Sequence, residues 1–125
     1  MSQKVLVICP ASAKNLGDAV KSIQGDVVFT MPDLSPDEYN LELYFMKLCM
    51  SFYLYDHILV LVTEDLFKIE HMDKVIHALT DLNLGVFIPI GDSYNYPSWF
   101  PMNILRYPPK PVHSSTNLWR SLFVR

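Results

Sequence analysis

Apolar runs alternate with helically spaced apolar stripes along this chain. The longest run, residues 57–63, holds five consecutive aliphatic residues with no polar residue among them. Such a run is typical of a strand buried on both faces of a parallel sheet. Shorter runs at residues 4–9, 26–30 and 86–90 predict three further strands. Pro89 cannot donate a ladder hydrogen bond, so the last strand is expected to lie at an edge of the sheet or to end at this proline.

Three segments with apolar residues at helical spacing connect these strands. The first covers residues 14–24, where Gly25 provides a C-terminal stop, and the third covers residues 66–83. The second is predicted to begin at Ser35-Pro36-Asp37-Glu38, which has the form of a capping box with proline at the first helical position. It is expected to run to about Leu54.

The second predicted helix is unusually apolar. Its core stripe is expected to consist of Leu41, Phe45, Leu48, Phe52 and Tyr55. Between residues 43 and 55, Lys47 is the only charged residue. A helix with one solvated face would carry more charge, so Tyr44, Met50 and Tyr53 are expected to cover a second surface. That surface belongs either to the same domain or to a partner.

The order of elements predicts the fold class. Four strands alternating with three helices give an α/β, flavodoxin-like three-layer sandwich with a short four-stranded parallel sheet in the order 2-1-3-4. We expect a single domain over residues 1–125. A loop rich in proline and aromatic residues is expected at 91–111, followed by a short helix beginning at Ser115. In that helix Leu118, Trp119 and Leu122 would dock on the core.

The composition gives expectations about the cellular location of the protein and about its partners. There is no apolar run near the ~20 residues that span a bilayer, and no signal-peptide pattern, so a cytoplasmic protein without membrane insertion is expected. Cys9 and Cys49 lie in apolar elements and are expected to be buried free thiols. The four basic residues after Asp92 are too sparse for nucleic-acid binding. They suit an acidic neighbouring subunit.

Polar residues at the expected carboxyl ends of the strands predict a binding edge. In a parallel α/β sheet, ligands bind at these strand ends, which here carry Ser12, Thr63, Glu64 and Gly91. The Gly-rich, Walker, CxxC, HExxH and GxSxG motifs are all absent from the sequence. The four histidines, His57, His71, His77 and His113, lack metal-ligand spacing, and no metal or cofactor is expected.

The third predicted helix has a polar face made of Glu70, Asp73, Lys74, His77 and Asp81. Such a face is normally solvated and crossed by weak ion pairs. A catalytic role would require a carboxylate to reach over the strand ends as a nucleophile or cation stabiliser. Glu70 and Glu64 are the candidates, and Glu64 is better placed because it closely follows the central strand.

Several segments together resemble a Toll/interleukin-1 receptor (TIR) domain or its SEFIR relative. They are KVLVICPAS, MPDLSPDEY, LVLVTEDL, KVIHAL, GVFIPI and Leu118-Trp119, in that order. The resemblance implies self-association, or binding to other TIR-like domains, through a loop after the second strand. That loop consists here of Pro32, Asp33, Leu34, Ser35, Pro36 and Asp37. Asp37 occupies the position of the family's glycine.

The resemblance also bears on catalysis. Some TIR domains cleave NAD with a glutamate on the third helix, four residues before a small residue. Here Lys74 stands four residues before Ala78, and a lysine cannot stabilise an oxocarbenium charge. A non-catalytic signalling or assembly module is therefore the first expectation.

Two alternatives remain open from the sequence. The chain also resembles nucleoside deoxyribosyltransferase-like proteins, which implies an N-glycosidic enzyme acting on NAD or nucleosides through Glu64 or Glu70. The other alternative is a domain that senses a nucleotide-like ligand at Ser12, Thr63 and Gly91 without performing chemistry.

Overall fold

The computed structural model describes residues 3–22, 26–90 and 95–105. Its centre is a four-stranded, all-parallel sheet in the order β2-β1-β3-β4, as the sequence predicts. The strands are β1 (Gln3–Ile8), β2 (Val27–Thr30), β3 (His57–Val62) and β4 (Val86–Pro89). The fold is therefore an α/β, flavodoxin-like sandwich.

Within the described residues, three α-helices connect the strands: α1 (Lys14–Lys21), α2 (Leu41–Met50) and α3 (Met72–Asp81). The same part of the chain has four short 3₁₀ segments, at Ala11–Ala13, Phe52–Leu54, Asp65–Lys68 and Met102–Ile104. Each of the three predicted helical segments thus contains a helix, although each helix is shorter than expected. Gly25 and the helix predicted from Ser115 lie outside the described residues, as do residues 91–94 and 106–111 of the predicted loop.

The central strands are buried on both faces. Alternate residues of β1 and β3 belong to two separate clusters, one on each side of the sheet. Val5, Leu59 and Leu61 pack with Val20 of α1, whereas side chains of the opposite parity pack with α2 and α3. This explains the unbroken apolar run of β3, since a strand with helices on both sides has no polar face.

Strand β4 lies beyond β3, at the end of the four-stranded order, as the proline in it predicts. Pro89 is paired in register with Val62, and the backbone N–H of Ile90 donates to the carbonyl of Val62 at 2.9 Å. On the outer side, Phe87 forms an isolated parallel bridge with Leu105. The missing N–H of the proline therefore coincides with the end of the β3–β4 ladder.

The predicted start of the second helix is wrong. Asn40, not Ser35, caps α2, and its Oδ1 accepts a hydrogen bond from the N–H of Leu43 at 3.0 Å. The backbone N–H of Ser35 donates instead to Oδ1 of Asp33 at 2.9 Å, in a turn that buries Leu34. Burial of this leucine holds the segment as a loop and overrides the local capping signal.

The predicted third helix is interrupted at its beginning. Asp65–Lys68 form a 3₁₀ segment, and His71 adopts a left-handed conformation with φ of 67° immediately before α3. Glu70 therefore precedes the helix and is not part of its polar face, contrary to the sequence-based expectation. Asp73, Lys74, His77 and Asp81 do belong to α3.

Candidate functional site

A cleft of about 470 Å³ opens at the carboxyl ends of the strands. This is the edge at which open parallel sheets bind ligands, and the volume lies within the range of small-molecule sites. Residues from four parts of the chain line it: the turn after β1, the loop before α2, α2 itself and the segment between β3 and α3. They are Ala11, Leu34, Ser35, Pro36, Leu41, Phe45, Asp65, Lys68, Ile69 and Glu70.

Asp65 joins two of the strand ends. It accepts hydrogen bonds from the backbone N–H of Ser12 at 3.1 Å and from the Ser12 hydroxyl. The Thr63 hydroxyl also donates to Asp65, and its oxygen accepts from the N–H of Leu66 at 3.3 Å. Partial burial raises the pKa of Asp65, but these hydrogen bonds outweigh it and hold the pKa below the ordinary value. Asp65 is thus an ionised acceptor held by Ser12 and Thr63.

None of the described residues of the predicted binding edge lines the cleft. Ser12 and Thr63 lie at the strand ends, but their hydroxyls donate to Asp65 and neither residue is among those that line the cleft. Glu64 is exposed and also lies outside the lining. Gly91 is outside the described residues. Asp65 itself is the acid that contacts both the cleft and the two hydroxyls.

The two candidate glutamates occupy different positions. Glu70 lines the cleft, with a side chain that is 71% exposed and an Oε1 atom 3.7 Å from Nε2 of His71. Glu64 immediately precedes the 3₁₀ segment, and its carbonyl accepts from the N–H of Phe67 at 3.3 Å. Of the two, Glu70 therefore has access to a ligand in the cleft.

Lys74 lies next to a second, smaller space between α2 and α3. Its Nζ is 3.3 Å from Oε1 of Glu42, and both side chains are more than half exposed. These two residues line a pocket of about 180 Å³ with Phe45, Met46 and Cys49. Lys74 is not among the residues that line the larger cleft. An exposed pair of this kind contributes little to stability.

The loop before α2 is fixed at one end and open at the other. Leu34 is buried, and the Tyr44 hydroxyl donates to the carbonyl of Asp33 at 2.6 Å. Ser35 and Pro36 form one wall of the cleft. From Asp37 to Asn40 every residue is exposed. The predicted interaction loop, residues 32–37, therefore presents its acidic end, Asp37, to solvent.

An aromatic cluster covers the opposite side of the 3₁₀ segment after β3. The Phe67 ring contacts those of Tyr96, Trp99 and Phe100, with centroids 5.1–5.9 Å apart. His77 on α3 contacts Trp99, with Nε2 at 3.3 Å from its carbonyl oxygen. These contacts hold residues 95–105 against the core, so this part of the predicted aromatic loop is structural.

Neither cysteine has the properties of a reactive thiol. Burial raises the pKa of Cys9 to about 11, and its Sγ donates to the carbonyl of Ala13 at 3.2 Å. Burial also raises the pKa of Cys49. Both are free, as predicted, but they are half-buried and not fully buried as expected. A thiol with a raised pKa is largely protonated at neutral pH and therefore a weak nucleophile.

Over the described ranges, no three His, Cys, Asp or Glu side chains are grouped in a way that would hold a metal ion. His113 lies outside those ranges. In the same part of the chain, no helix combines the length and apolar character that a membrane span requires.

The class that the fold and the site define is an α/β, flavodoxin-like protein with an open cleft at the strand ends. No protein-family model matches the chain, and no curated protein sequence matches it.

Three features of the site were not predicted from the sequence. Asp65 was not expected to accept from a hydroxyl, although an acid two residues after a strand-terminal threonine can do so. Asn40 was not identified as a cap, although an asparagine directly before an apolar helical stripe is a recognised signal. Nor did any local signal indicate that Lys68 would line the cleft.

Proposed function

We propose that this chain is a non-catalytic signalling or assembly module that associates with copies of itself or with domains of the same kind. The observation that carries the proposal is the outward side of α2. Five of the nine exposed large hydrophobic side chains in the described part of the chain lie on α2 or on the turn that follows it. Apolar side chains concentrated on one exposed surface are a mark of protein–protein contact.

The charged residues near the cleft also favour an assembly role over catalysis. Asp65 accepts three hydrogen bonds within the protein, with a pKa below the ordinary value, so it is a weak general base. At the position where the TIR resemblance expects a catalytic glutamate, Lys74 pairs with Glu42. An exposed acidic loop lies beside the cleft, at the position through which TIR domains self-associate.

Association is tested by measuring the molar mass of the protein as a function of concentration. Light scattering coupled to size exclusion, from micromolar to millimolar protein, should show a rising average mass. Asp37→Lys reverses an exposed loop charge and should weaken association. Asp81→Lys makes the same charge change at the exposed end of α3 and should not. A monomer of constant mass over the whole range, in buffers of low and moderate salt, would contradict the proposal.

A second candidate function is N-glycosidic cleavage of NAD or a nucleoside. The observation in its favour is the cleft of about 470 Å³ with Glu70 in its lining. In such a reaction the bond between the anomeric carbon and the base nitrogen breaks. Glu70 would stabilise the sugar cation until water or another acceptor adds to that carbon.

The enzymatic alternative is tested by incubating the protein with NAD and with deoxynucleosides and separating the products by chromatography. Turnover that is lost in Glu70→Gln and retained in Glu64→Gln would favour it, because Glu64 lies outside the cleft lining. No turnover above a protein-free control is the result expected of an assembly module.

A further inference from the structure

Five exposed apolar side chains on α2 and on the turn after it make up a surface here named the outer α2 face. Phe45 of the same helix is buried in the core, and Met46 also lines the pocket of about 180 Å³ between α2 and α3. The exposed fractions of the five side chains are 38% for Leu43, 52% for Met46, 68% for Met50, 81% for Tyr53 and 52% for Leu54.

The area of the outer α2 face suits a weak or transient contact. Together its five side chains expose roughly 600 Å², against about 800 Å² per partner in a typical stable interface. Reversible association at micromolar concentrations or above is what such an area supports.

The charge of Lys47 determines which chemical groups a partner of the outer α2 face needs. It is exposed and is the only charged residue between positions 43 and 55. Within the described residues it forms no ion pair; the two pairs found there are His71–Glu70 and Lys74–Glu42. Covering an unpaired lysine with apolar surface is unfavourable. The occupant of the face should therefore combine an apolar group with a carboxylate.

The end of the loop before α2 has that combination. Asp37, Glu38 and Tyr39 are all exposed, and Tyr39, at 106% relative exposure, is fully accessible to solvent. We name these three residues the Tyr39 tip. Tyrosine is favoured as an interface anchor because it offers a large apolar ring with little side-chain entropy to lose. Two flanking carboxylates make the tip electrostatically complementary to Lys47.

We infer that the Tyr39 tip of one copy docks on the outer α2 face of another copy. The inference rests on the proposed assembly function and names the two surfaces that carry it. In the head-to-tail form of this contact, which we infer here, one tip and one face stay free at the ends of an assembly. Longer chains of copies can then form as concentration rises.

A symmetric contact between two outer α2 faces fits the charges less well. It would enclose two copies of Lys47, and the only acid on α2, Glu42, already has its Oε1 atom 3.3 Å from Lys74. Beyond Glu42, α2 has no carboxylate that could pair with either lysine. The head-to-tail contact supplies two acids for one lysine, which is the more favourable arrangement.

Two variants test the arrangement by mixing. Tyr39→Ala removes the anchor of the tip, and Met50→Glu places a charge in the face; both positions are exposed, and circular dichroism checks the fold. Each variant alone should associate roughly tenfold more weakly than the native protein. Mixed in equal amounts they should form a 1:1 dimer and no larger species, because each contributes the surface that the other lacks.

The charges are tested by a swap. Lys47→Glu and Glu38→Lys should each weaken association, and the chain carrying both changes should recover it. Leu82→Glu, at another exposed apolar position, should leave association unchanged. The inference would be overturned if the mixture failed to form the dimer, or if Tyr39→Ala alone associated as strongly as the native protein. If Tyr39→Ala associated fully and Met50→Glu did not, a symmetric contact between two outer α2 faces would be indicated. After either of these results, association of the native protein would still support the proposed function. A strictly monomeric native protein would contradict both the proposed function and this inference.

Discussion

Replacing Asp65 by asparagine should destabilise the fold measurably at neutral pH. Asp65 accepts from two hydroxyls and one backbone N–H, which come from Ser12 and Thr63. An amide in the same place keeps one acceptor and turns its NH₂ group toward a donor. If the remaining oxygen faces the two hydroxyls, the NH₂ lies against the N–H of Ser12, and that hydrogen bond is lost.

The size of the effect follows from these contacts. Hydrogen bonds to a charged group contribute about 1.5–3 kcal/mol and neutral ones about 0.5–1.5 kcal/mol. Partial solvent exposure reduces both figures at this site. We expect Asp65→Asn to lower the free energy of unfolding by about 1–2 kcal/mol, and to lower the Tm by roughly 3–8 °C for a domain of this size.

The effect should depend on pH in a defined direction. Because the folded protein holds the pKa of Asp65 below its ordinary value, the ionised carboxylate contributes stability above the unfolded-state pKa of about 4. That contribution is lost as the pH falls through the lower, folded-state pKa. The difference between native protein and Asp65→Asn should therefore be full at pH 7 and should shrink toward pH 3.

Urea unfolding followed by circular dichroism at pH 7, 5 and 3 measures this difference. Glu64→Gln is the matched control, since it neutralises the neighbouring exposed acid and should change stability by less than about 0.5 kcal/mol. A difference for Asp65→Asn that is negligible at pH 7, or that persists in full at pH 3, would show that the Asp65 hydrogen bonds do not stabilise the fold as described.

Two further substitutions test local packing and capping. A Cβ built at Gly17 lies 2.5 Å from Sγ of Cys9, so Gly17→Ala should destabilise by about 1–2 kcal/mol despite alanine's better helix propensity. In a Cys9→Ala background the loss should largely disappear. Thermal unfolding of the native protein, the two single variants and the double variant measures this, and additive losses would contradict the explanation. Asn40→Ala should lower the free energy of unfolding by about 1 kcal/mol because it removes the cap of α2, whereas Ser35→Ala should be nearly neutral. Equal losses for the two variants in urea unfolding would instead favour a helix that begins at Ser35.

The sequence alone determined the architecture because its signals are local. An apolar run without polar interruption requires cover on both faces, and this is how β3 lies between the α1 cluster and the cluster of α2 and α3. The proline in β4 marked an edge strand, and the alternation of strands and helices predicted parallel pairing in the order 2-1-3-4.

The tertiary structure decided the beginnings of α2 and α3 and the composition of the site. A capping box at Ser35 yielded to burial of Leu34, which requires the loop to fold over the core. Asp65 and Ser12 are 53 residues apart and meet only because adjacent parallel strands end at the same edge. Local periodicity predicts which segments form strands and helices, but contacts between distant segments decide where a helix starts and which polar groups share a site.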